Sequence, residues 1–255
     1  MFDHIDYLIG SIIFNTRRIK KHMDQISIIR DRSEVLVNEF VRKVYNWMAV
    51  GLALTGVLAF YVSKDVNLLR AVSSPIIQIV LFLAIIGLVF SISGMVNRMS
   101  AGTATGLFVV YSALMGVFLS PIFIIYTQAS IARTFFICAG TFVGCSIYGW
   151  TTKKDLTSWG GFLMMGLIGI IIASLVNIFI QSNAMTMIVS YIGIIVFVGL
   201  TAYDTQKMKD MALSQPAGLD GEAVQKGAIL GALSLYLDFI NLFLMLLRIF
   251  GQSRE

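Results

Sequence analysis

The sequence predicts an all-α polytopic membrane protein, in which six of seven hydrophobic helices surround a central C-terminal helix. The 255-residue chain is 57% hydrophobic and only 13% charged, whereas charged residues make up about 25% of a typical soluble domain. Its mean hydropathy is +0.83, so a water-soluble core of this size could not bury the apolar surface. The apolar residues are also collected into segments close to the roughly 20 residues that a spanning helix needs.

Residues 1–43 are predicted to form a cytoplasmic N-terminal tail with a basic segment next to the membrane. That segment includes Arg17, Arg18, Lys20 and Lys21, which could meet anionic lipid if the tail forms an amphipathic surface helix. Alternatively the tail is mobile, as chain termini often are. No basic region opens the chain, and its first apolar stretch is too short to span, which argues against a secretory signal peptide.

A seven-helix transmembrane domain is predicted over residues 44–251. The seven apolar segments cover approximately 44–63, 75–97, 103–127, 132–151, 159–181, 186–206 and 226–250. Pro121 lies inside the third segment and predicts a kink there. Pairs of small residues four apart recur in GTATG (102–106), GTFVG (140–144) and GAILG (227–231), and such spacings predict close helix approach.

The distribution of Lys and Arg predicts the orientation in the membrane. The tail and the loops after the second, fourth and sixth segments hold fourteen basic residues, whereas the opposite loops hold only Lys64, Arg70 and Arg133. Basic loops are typically cytoplasmic, so the N-terminus is predicted to be cytoplasmic. The C-terminus lies outside if the last segment spans fully, and inside if it is re-entrant. This loop bias accounts for the net charge of +5 without a nucleic-acid partner.

Asp204 and Asp238 are the only acidic residues predicted within the membrane, one near the cytoplasmic end of the sixth segment and one inside the seventh. A charged side chain at the bilayer centre costs roughly 2.5–3.5 kcal/mol on insertion scales. Their polar neighbours at helical spacing form stripes, with Ser190, Phe197, Thr201 and Asp204 on one helix and Ser234, Asp238, Asn241, Met245 and Arg248 on the other. Polar groups on one face of an apolar helix point toward protein or water. The last helix is therefore predicted to be central.

The two aspartates suggest two kinds of chemistry. If they lie close together in a low-dielectric site, both cannot ionise easily and they would share a proton, which would make them a coupled pH sensor. They could also bind a cation such as calcium, which takes six to eight oxygen ligands, with Thr201, Asn241, backbone carbonyls and water completing the shell. Arg98, at the end of the second segment, could latch Asp204 through a salt bridge, or it could simply anchor the helix in the headgroups.

The chain resembles a bacterial member of the transmembrane Bax inhibitor motif family. The resemblance rests on GLTAYDTQKMK (199–209) and ALSLYLDFINLFLMLLRIFG (232–251). It implies six helices around a central seventh and a pH-dependent calcium leak in the bacterial inner membrane. Asp204 and Asp238 match the aspartate pair that acts as the sensor, and Arg98 matches the latch arginine. The resemblance implies no cofactor, with calcium as the transported or transiently bound ion.

Two other functions compete with a leak. Paired aspartates also occur in intramembrane aspartyl proteases, but bulky neighbours surround Asp238 and no Pro-Ala-Leu sequence follows it; the prediction is that the protein is not an enzyme. The second alternative is a non-transporting regulator that binds membrane proteases or death-pathway proteins through the tail and the segment 207–225. A regulator of this kind should keep its activity when both aspartates are neutralised.

Overall fold

The computed structural model describes residues 37–214 and 220–254, which form helices and no extended strand. Most of the predicted tail lies outside these residues, and residues 37–43 belong to the first helix. The helices are α1 Val37–Lys64, α2 Val66–Val72, α3 Pro75–Met95, a 3-10 turn Val96–Arg98, α4 Ala101–Leu119, α5 Ile122–Ile125, α6 Gln128–Thr151, α7 Thr157–Ile180, α8 Asn183–Leu213 and α9 Gly221–Phe250.

Seven of these helical segments are long and apolar enough to cross a membrane, namely α1, α3, α4 with α5, α6, α7, α8 and α9. The predicted fold class is therefore confirmed. Several helices are longer than hydropathy predicted; among them, α8 continues from residue 206 to Leu213, and α9 begins at Gly221 rather than 226. The extra turns are charged and polar, so a hydropathy pattern that detects only the apolar core of a helix misses them.

The third span breaks where the proline predicted a kink. Helix α4 ends at Leu119, and Pro121 precedes the single turn of α5. Proline cannot donate the backbone hydrogen bond that would continue the helix. The break turns the chain toward α6, whose first residue is Gln128.

The last helix is the most buried of the seven, as predicted. Of the residues in the apolar part of α9, 72% are buried, against 11% in α7. Helices α4, α6 and α8 pack directly on α9, and α1 reaches it through a hydrogen bond of 2.6 Å between the Thr55 and Tyr236 hydroxyls. Helix α7 packs mainly against α8, so it occupies a second layer rather than the ring around α9.

Most of the glycines at which helices approach closely are not the ones that the small-residue patterns predicted. A Cβ on Gly106, Gly140 or Gly144 would meet nothing within 4 Å, so the GTATG and GTFVG patterns do not mark helix interfaces here. Instead α4 touches the Thr55 backbone at Gly116, and α6 touches the α8 backbone at Gly149. Of the three patterns, only GAILG marks a close contact, because a Cβ on Gly231 would meet the side chains of Met208 on α8 and Val44 on α1.

The spans divide the molecule into two faces. The basic face carries the α3–α4 turn, the α6–α7 loop and the α8–α9 connection; the distal face carries the other connections. Helix α9 runs from the basic face to the distal face, where the Thr127 amide donates to the Gln252 carbonyl (3.0 Å) and the Arg254 amide donates to the Ile125 carbonyl (2.9 Å). Since residues beyond α9 are joined to the α5–α6 connection, the last segment is a full span and not a re-entrant one.

Candidate functional site

Asp204 and Asp238 meet at the interface between α8 and α9. Their carboxylates lie close enough for their charges to interact directly. Asp238 is only 5% exposed, and Asp204 is half-buried. The structure therefore brings together the two intramembrane carboxylates that the sequence singled out, in the interior of the bundle.

The register of the two antiparallel helices sets the spacing of the pair. Gly193 of α8 packs on Met245 of α9, where a Cβ would lie 3.0 Å from the sulfur. Asp204 is eleven residues after Gly193, and Ser234 is eleven residues before Met245, so the two face each other; the Ser234 hydroxyl lies beside the Asp204 carboxylate. Asp238 is four residues further along α9, which is one helical turn or about 6 Å.

The sequence puts Asp204 near the end of the apolar sixth segment, and the helix itself does not end there. Helix α8 continues for nine residues, to Leu213, or about 14 Å toward the basic face. The apolar run ends near Gln206 while the helix continues through charged residues. Asp204 is consequently enclosed by helix on both sides along its own axis.

The buried carboxylate of Asp238 is short of hydrogen-bond donors. Its Oδ2 atom is fully buried and has no hydrogen-bond partner among the described residues. Two predicted accessory groups are bonded within their own helices: the Thr201 hydroxyl donates to the Phe197 carbonyl and the Asn241 amide donates to the Leu237 carbonyl, both at 2.8 Å. An unsatisfied buried carboxylate is costly. A proton or a cation would relieve that cost.

The predicted Arg98 latch is not formed in this structure. Arg98 is exposed at the end of the 3-10 turn, and it makes no ion pair with a carboxylate in the part of the chain that is described. The cation near Asp204 is Lys207, which also lies over the Tyr203 ring at 6.0 Å. Lys207 is three residues after Asp204 on the same helix, and this i,i+3 spacing is the sequence signal that could have identified it as a neighbour.

A cluster of hydroxyls next to Asp204 was missed by the sequence analysis. The Thr205 hydroxyl donates to the Thr201 carbonyl (2.8 Å) and lies 3.3 Å from the Tyr45 hydroxyl and 3.5 Å from that of Ser146. Thr205, Tyr45 and Ser146 line an otherwise mainly apolar cavity of about 510 Å³ between α1 and α6. Because the three residues are far apart in the chain, no local pattern could identify this cluster.

The site is suited to transient rather than resident cation binding. No group of three or more His, Cys, Asp or Glu side chains that could hold a metal ion occurs within residues 37–214 and 220–254. Calcium takes six to eight oxygens, and the pair supplies only two carboxylates together with the Ser234 hydroxyl and the Asn241 amide oxygen. Most of a calcium shell would therefore have to come from water or backbone carbonyls.

The fold and the site define a helical integral membrane protein with a carboxylate pair between its last two spans. Residues 37–255 match the family described as inhibitor of apoptosis-promoting Bax1. The chain is 50% identical over 229 residues to the inner membrane protein YbhL of Escherichia coli, covering 89% of this chain and 97% of that protein. It is 46% identical over 232 residues to an uncharacterized protein of Borreliella burgdorferi, covering 90% of this chain and 99% of that protein.

A more distant relative is an uncharacterized membrane protein of Streptococcus pyogenes, 35% identical over 229 residues, with 89% of this chain and 98% of that protein covered. The chain therefore belongs to the Bax inhibitor family, and the predicted resemblance is confirmed. The family's description concerns inhibition of apoptosis and names no enzymatic activity.

Proposed function

We propose that this protein is a pH-sensitive leak for calcium or a related cation in the bacterial inner membrane, gated by Asp204 and Asp238. The observation that carries the proposal is the buried Asp238 carboxylate, which lies one helical turn along α9 from the Ser234 that faces Asp204 and has one oxygen without a hydrogen-bond partner among the described residues. Intramembrane ionisable residues typically line ion or proton pathways. In this protein the pair would bind a passing cation when charged and a proton when the pH falls.

The gating step is the loss of charge on the pair. The two neighbouring carboxylates repel each other when both are ionised, so they gain and lose protons as a unit. Protonation would remove the attraction between Asp204 and any cation that holds the pathway closed. Calcium flux should therefore rise as the pH falls.

Arg98 is the proposed latch of the closed state. To reach Asp204, the end of α3 would have to move toward α8, so the latch belongs to a conformation other than the one described above. Lys207 is the cation nearest Asp204 in this conformation. A change of partner between these two cations would couple the charge on Asp204 to a movement at the basic face.

The orientation proposed for the leak has the N-terminus in the cytoplasm. The basic face carries Arg98, Lys153 and Lys154 together with the lysines around the α8–α9 connection, and such loops are typically cytoplasmic. A similar protein from Escherichia coli is named an inner membrane protein. The carboxylate pair would then lie nearer the cytoplasmic end of the pathway.

The test is calcium flux into proteoliposomes between about pH 5 and 8, with wild type beside Asp204→Asn/Asp238→Asn. Wild type should carry a flux that rises as the pH falls, and the double variant should lose that dependence. Asp155→Asn is the matched control, because Asp155 is an exposed carboxylate on the α6–α7 loop. Equal fluxes from wild type and the double variant at every pH would refute the sensor. No flux above empty liposomes, from folded protein, would refute the leak.

The second candidate is a non-transporting regulator that binds a membrane protease or a death-pathway protein. The family's description as an inhibitor of apoptosis-promoting Bax1 favours it. The surfaces available are the tail, 1–43, and the segment 207–225, which would face the cytoplasm. Under this alternative, photocrosslinking from the segment 207–225 in cells should capture one partner from wild type and from the double aspartate variant alike.

A further inference from the structure

A second cavity lies on the side of the bundle that faces away from the basic face. It has a volume of about 380 Å³ and is enclosed by α1, α5, α6 and α9, within the range of small-molecule sites. Its walls are almost entirely apolar, with aromatic side chains from each of these helices: Phe60, Phe123, Phe135, Phe136, Phe239 and Phe243. Phe136 is 73% exposed on a spanning helix, so the cavity opens between helices toward the bilayer.

Two cations flank the mouth of this cavity, which we call the distal cavity. The Lys64 ammonium lies 4.6 Å from the centre of the Phe60 ring, and the Arg254 guanidinium donates to the Phe123 carbonyl at 2.9 Å. Phe60 and Phe123 both line the cavity and pack edge to face with their ring centres 6.1 Å apart. Lys64 and Arg254 therefore lie at the same opening, although they are 190 positions apart in the chain.

Both cations are available to an anion. Neither makes an ion pair with a carboxylate in the described parts of the chain. The acid next to Lys64 in the sequence, Asp65, accepts hydrogen bonds from the Asn67 and Leu68 amides and so caps α2. Arginine presents a planar fork of donors that matches a phosphate, and lysine adds a compact positive charge.

We propose that the distal cavity binds a phospholipid with an anionic headgroup. One acyl chain would fill the apolar cavity, and the phosphate would lie between Lys64 and Arg254. A wholly apolar ligand would leave the two cations unused, and a small water-soluble anion would leave the aromatic walls empty. A phospholipid combines both parts, because its headgroup carries the phosphate that the Arg254 fork of donors matches and its acyl chain is apolar.

The chain offers a substitution that fills the cavity without disturbing the fold. Gly56 lines the cavity, and a Cβ added there would meet nothing within 4 Å, so the side chain of Gly56→Leu would occupy the space proposed for the acyl chain. The matched control is Gly169→Leu on α7, an exposed glycine that also has open space and does not line this cavity. Ala132→Leu fills the cavity from α6 and serves as a second variant if the first does not fold.

The two cations at the mouth of the distal cavity, which we call the rim, are tested separately from its apolar interior. Lys64→Gln/Arg254→Gln removes both cations, and Arg70→Gln/Arg133→Gln removes the same charge from two other exposed cations of the distal face. The measurement is native mass spectrometry of the full-length protein in detergent with added phosphatidylglycerol or phosphatidylcholine of the same acyl chains. Circular dichroism and gel filtration check that each variant is folded.

Wild type should retain phosphatidylglycerol several-fold better than phosphatidylcholine. Gly56→Leu should weaken retention of both lipids about tenfold, as expected when the space for a buried chain is filled. The rim variant should lose only the preference for phosphatidylglycerol, and both control variants should behave as wild type. Unchanged retention in folded Gly56→Leu or Ala132→Leu would overturn the cavity assignment, and an unchanged preference in the rim variant would overturn the headgroup assignment.

Discussion

The two sides of α9 bury polar groups in opposite ways. Toward α1 and α4, the Tyr236 hydroxyl donates to Thr55, which donates in turn to the Ser112 carbonyl, at 2.6 and 2.8 Å. Toward α8, the Asp238 carboxylate is equally deep but one of its oxygens has no partner within the described residues. Both groups are almost fully buried on one helix, so burial alone does not account for the difference.

This difference separates a structural network from a candidate functional site. On the Tyr236 side, these hydrogen bonds join α9 to α1 and α4, and we call this network the brace. The Phe108 and Tyr111 rings pack on it, with their centres 6.0 and 5.3 Å from that of Tyr236. One hydroxyl of that group, on Tyr111, is also unpaired, but an unpaired neutral hydroxyl costs far less than an unpaired carboxylate. The more costly defect on one side only is what we expect if that side of the helix serves a function other than stability.

Forcing the helices of the braced side apart should cause the largest loss of stability. A Cβ on Gly116 would lie 2.6 Å from the backbone oxygen of Thr55, and a backbone atom cannot move aside as a flexible side chain can. Gly116→Ala should therefore lower the free energy of unfolding by about 1–3 kcal/mol, measured by unfolding in detergent. Gly106→Ala on the same helix is the control, since its Cβ would meet nothing within 4 Å, and it should be neutral or slightly stabilising. Equal losses from the two variants would argue against the brace.

Replacing the carboxylate should change function without lowering stability. Asp238→Asn removes a charge whose buried Oδ2 has no hydrogen-bond partner among the described residues, so the free energy of unfolding should not fall. In liposomes the ratio of calcium flux at about pH 5 to that at about pH 8 should drop to near one, a loss of about tenfold in pH response. A clear loss of stability would mean that Asp238 belongs to a structural network, and the contrast between the two sides of α9 would be lost.

A substitution on the braced side, Tyr236→Phe, should lower stability and leave the pH dependence of calcium flux unchanged. Tyr236→Phe keeps the ring and removes one buried hydrogen bond, so the free energy of unfolding should fall by about 1 kcal/mol. The pH dependence of calcium flux should match that of wild type. If Tyr236→Phe flattens the pH response as Asp238→Asn does, then the proton pathway runs through both sides of the helix.

The smallest effect concerns the latch. Arg98→Gln should raise calcium flux at about pH 8 by roughly twofold, because an exposed ion pair contributes only about 0.2–1 kcal/mol. Lys153→Gln, another exposed cation of the basic face, should leave the flux unchanged. An identical response from both variants would reduce Arg98 to a membrane anchor, which was the alternative reading of its position.

Much of the fold could be predicted from local patterns in the sequence. Hydropathy identified the seven spans, Pro121 marked the break between α4 and α5, and the stripe through Ser234 and Asp238 indicated a central last helix. Each of these signals depends on residues within one or two turns of each other. A helix that must satisfy its own backbone inside a membrane is determined largely by its own sequence.

The sequence also selected the carboxylates of the candidate site, because a charged residue in an apolar segment stands out by itself. It could not give the partners of those carboxylates. Ser234 faces Asp204 because Gly193 packs on Met245 and sets the register of two antiparallel helices. Lys207 rather than Arg98 lies near Asp204 in this conformation, since that depends on where α3 ends relative to α8.

Sequence alone thus determined which segments cross the membrane and which polar groups they carry. Tertiary structure decided how those segments are rotated and shifted against each other: which glycines touch a neighbour, that α7 lies outside the ring around α9, and that Lys64 and Arg254 share one opening. The physical reason is that backbone hydrogen bonds and hydropathy act within a helix. Rotation and register are set by side-chain packing between residues that can be almost two hundred positions apart, as Thr55 and Tyr236 are.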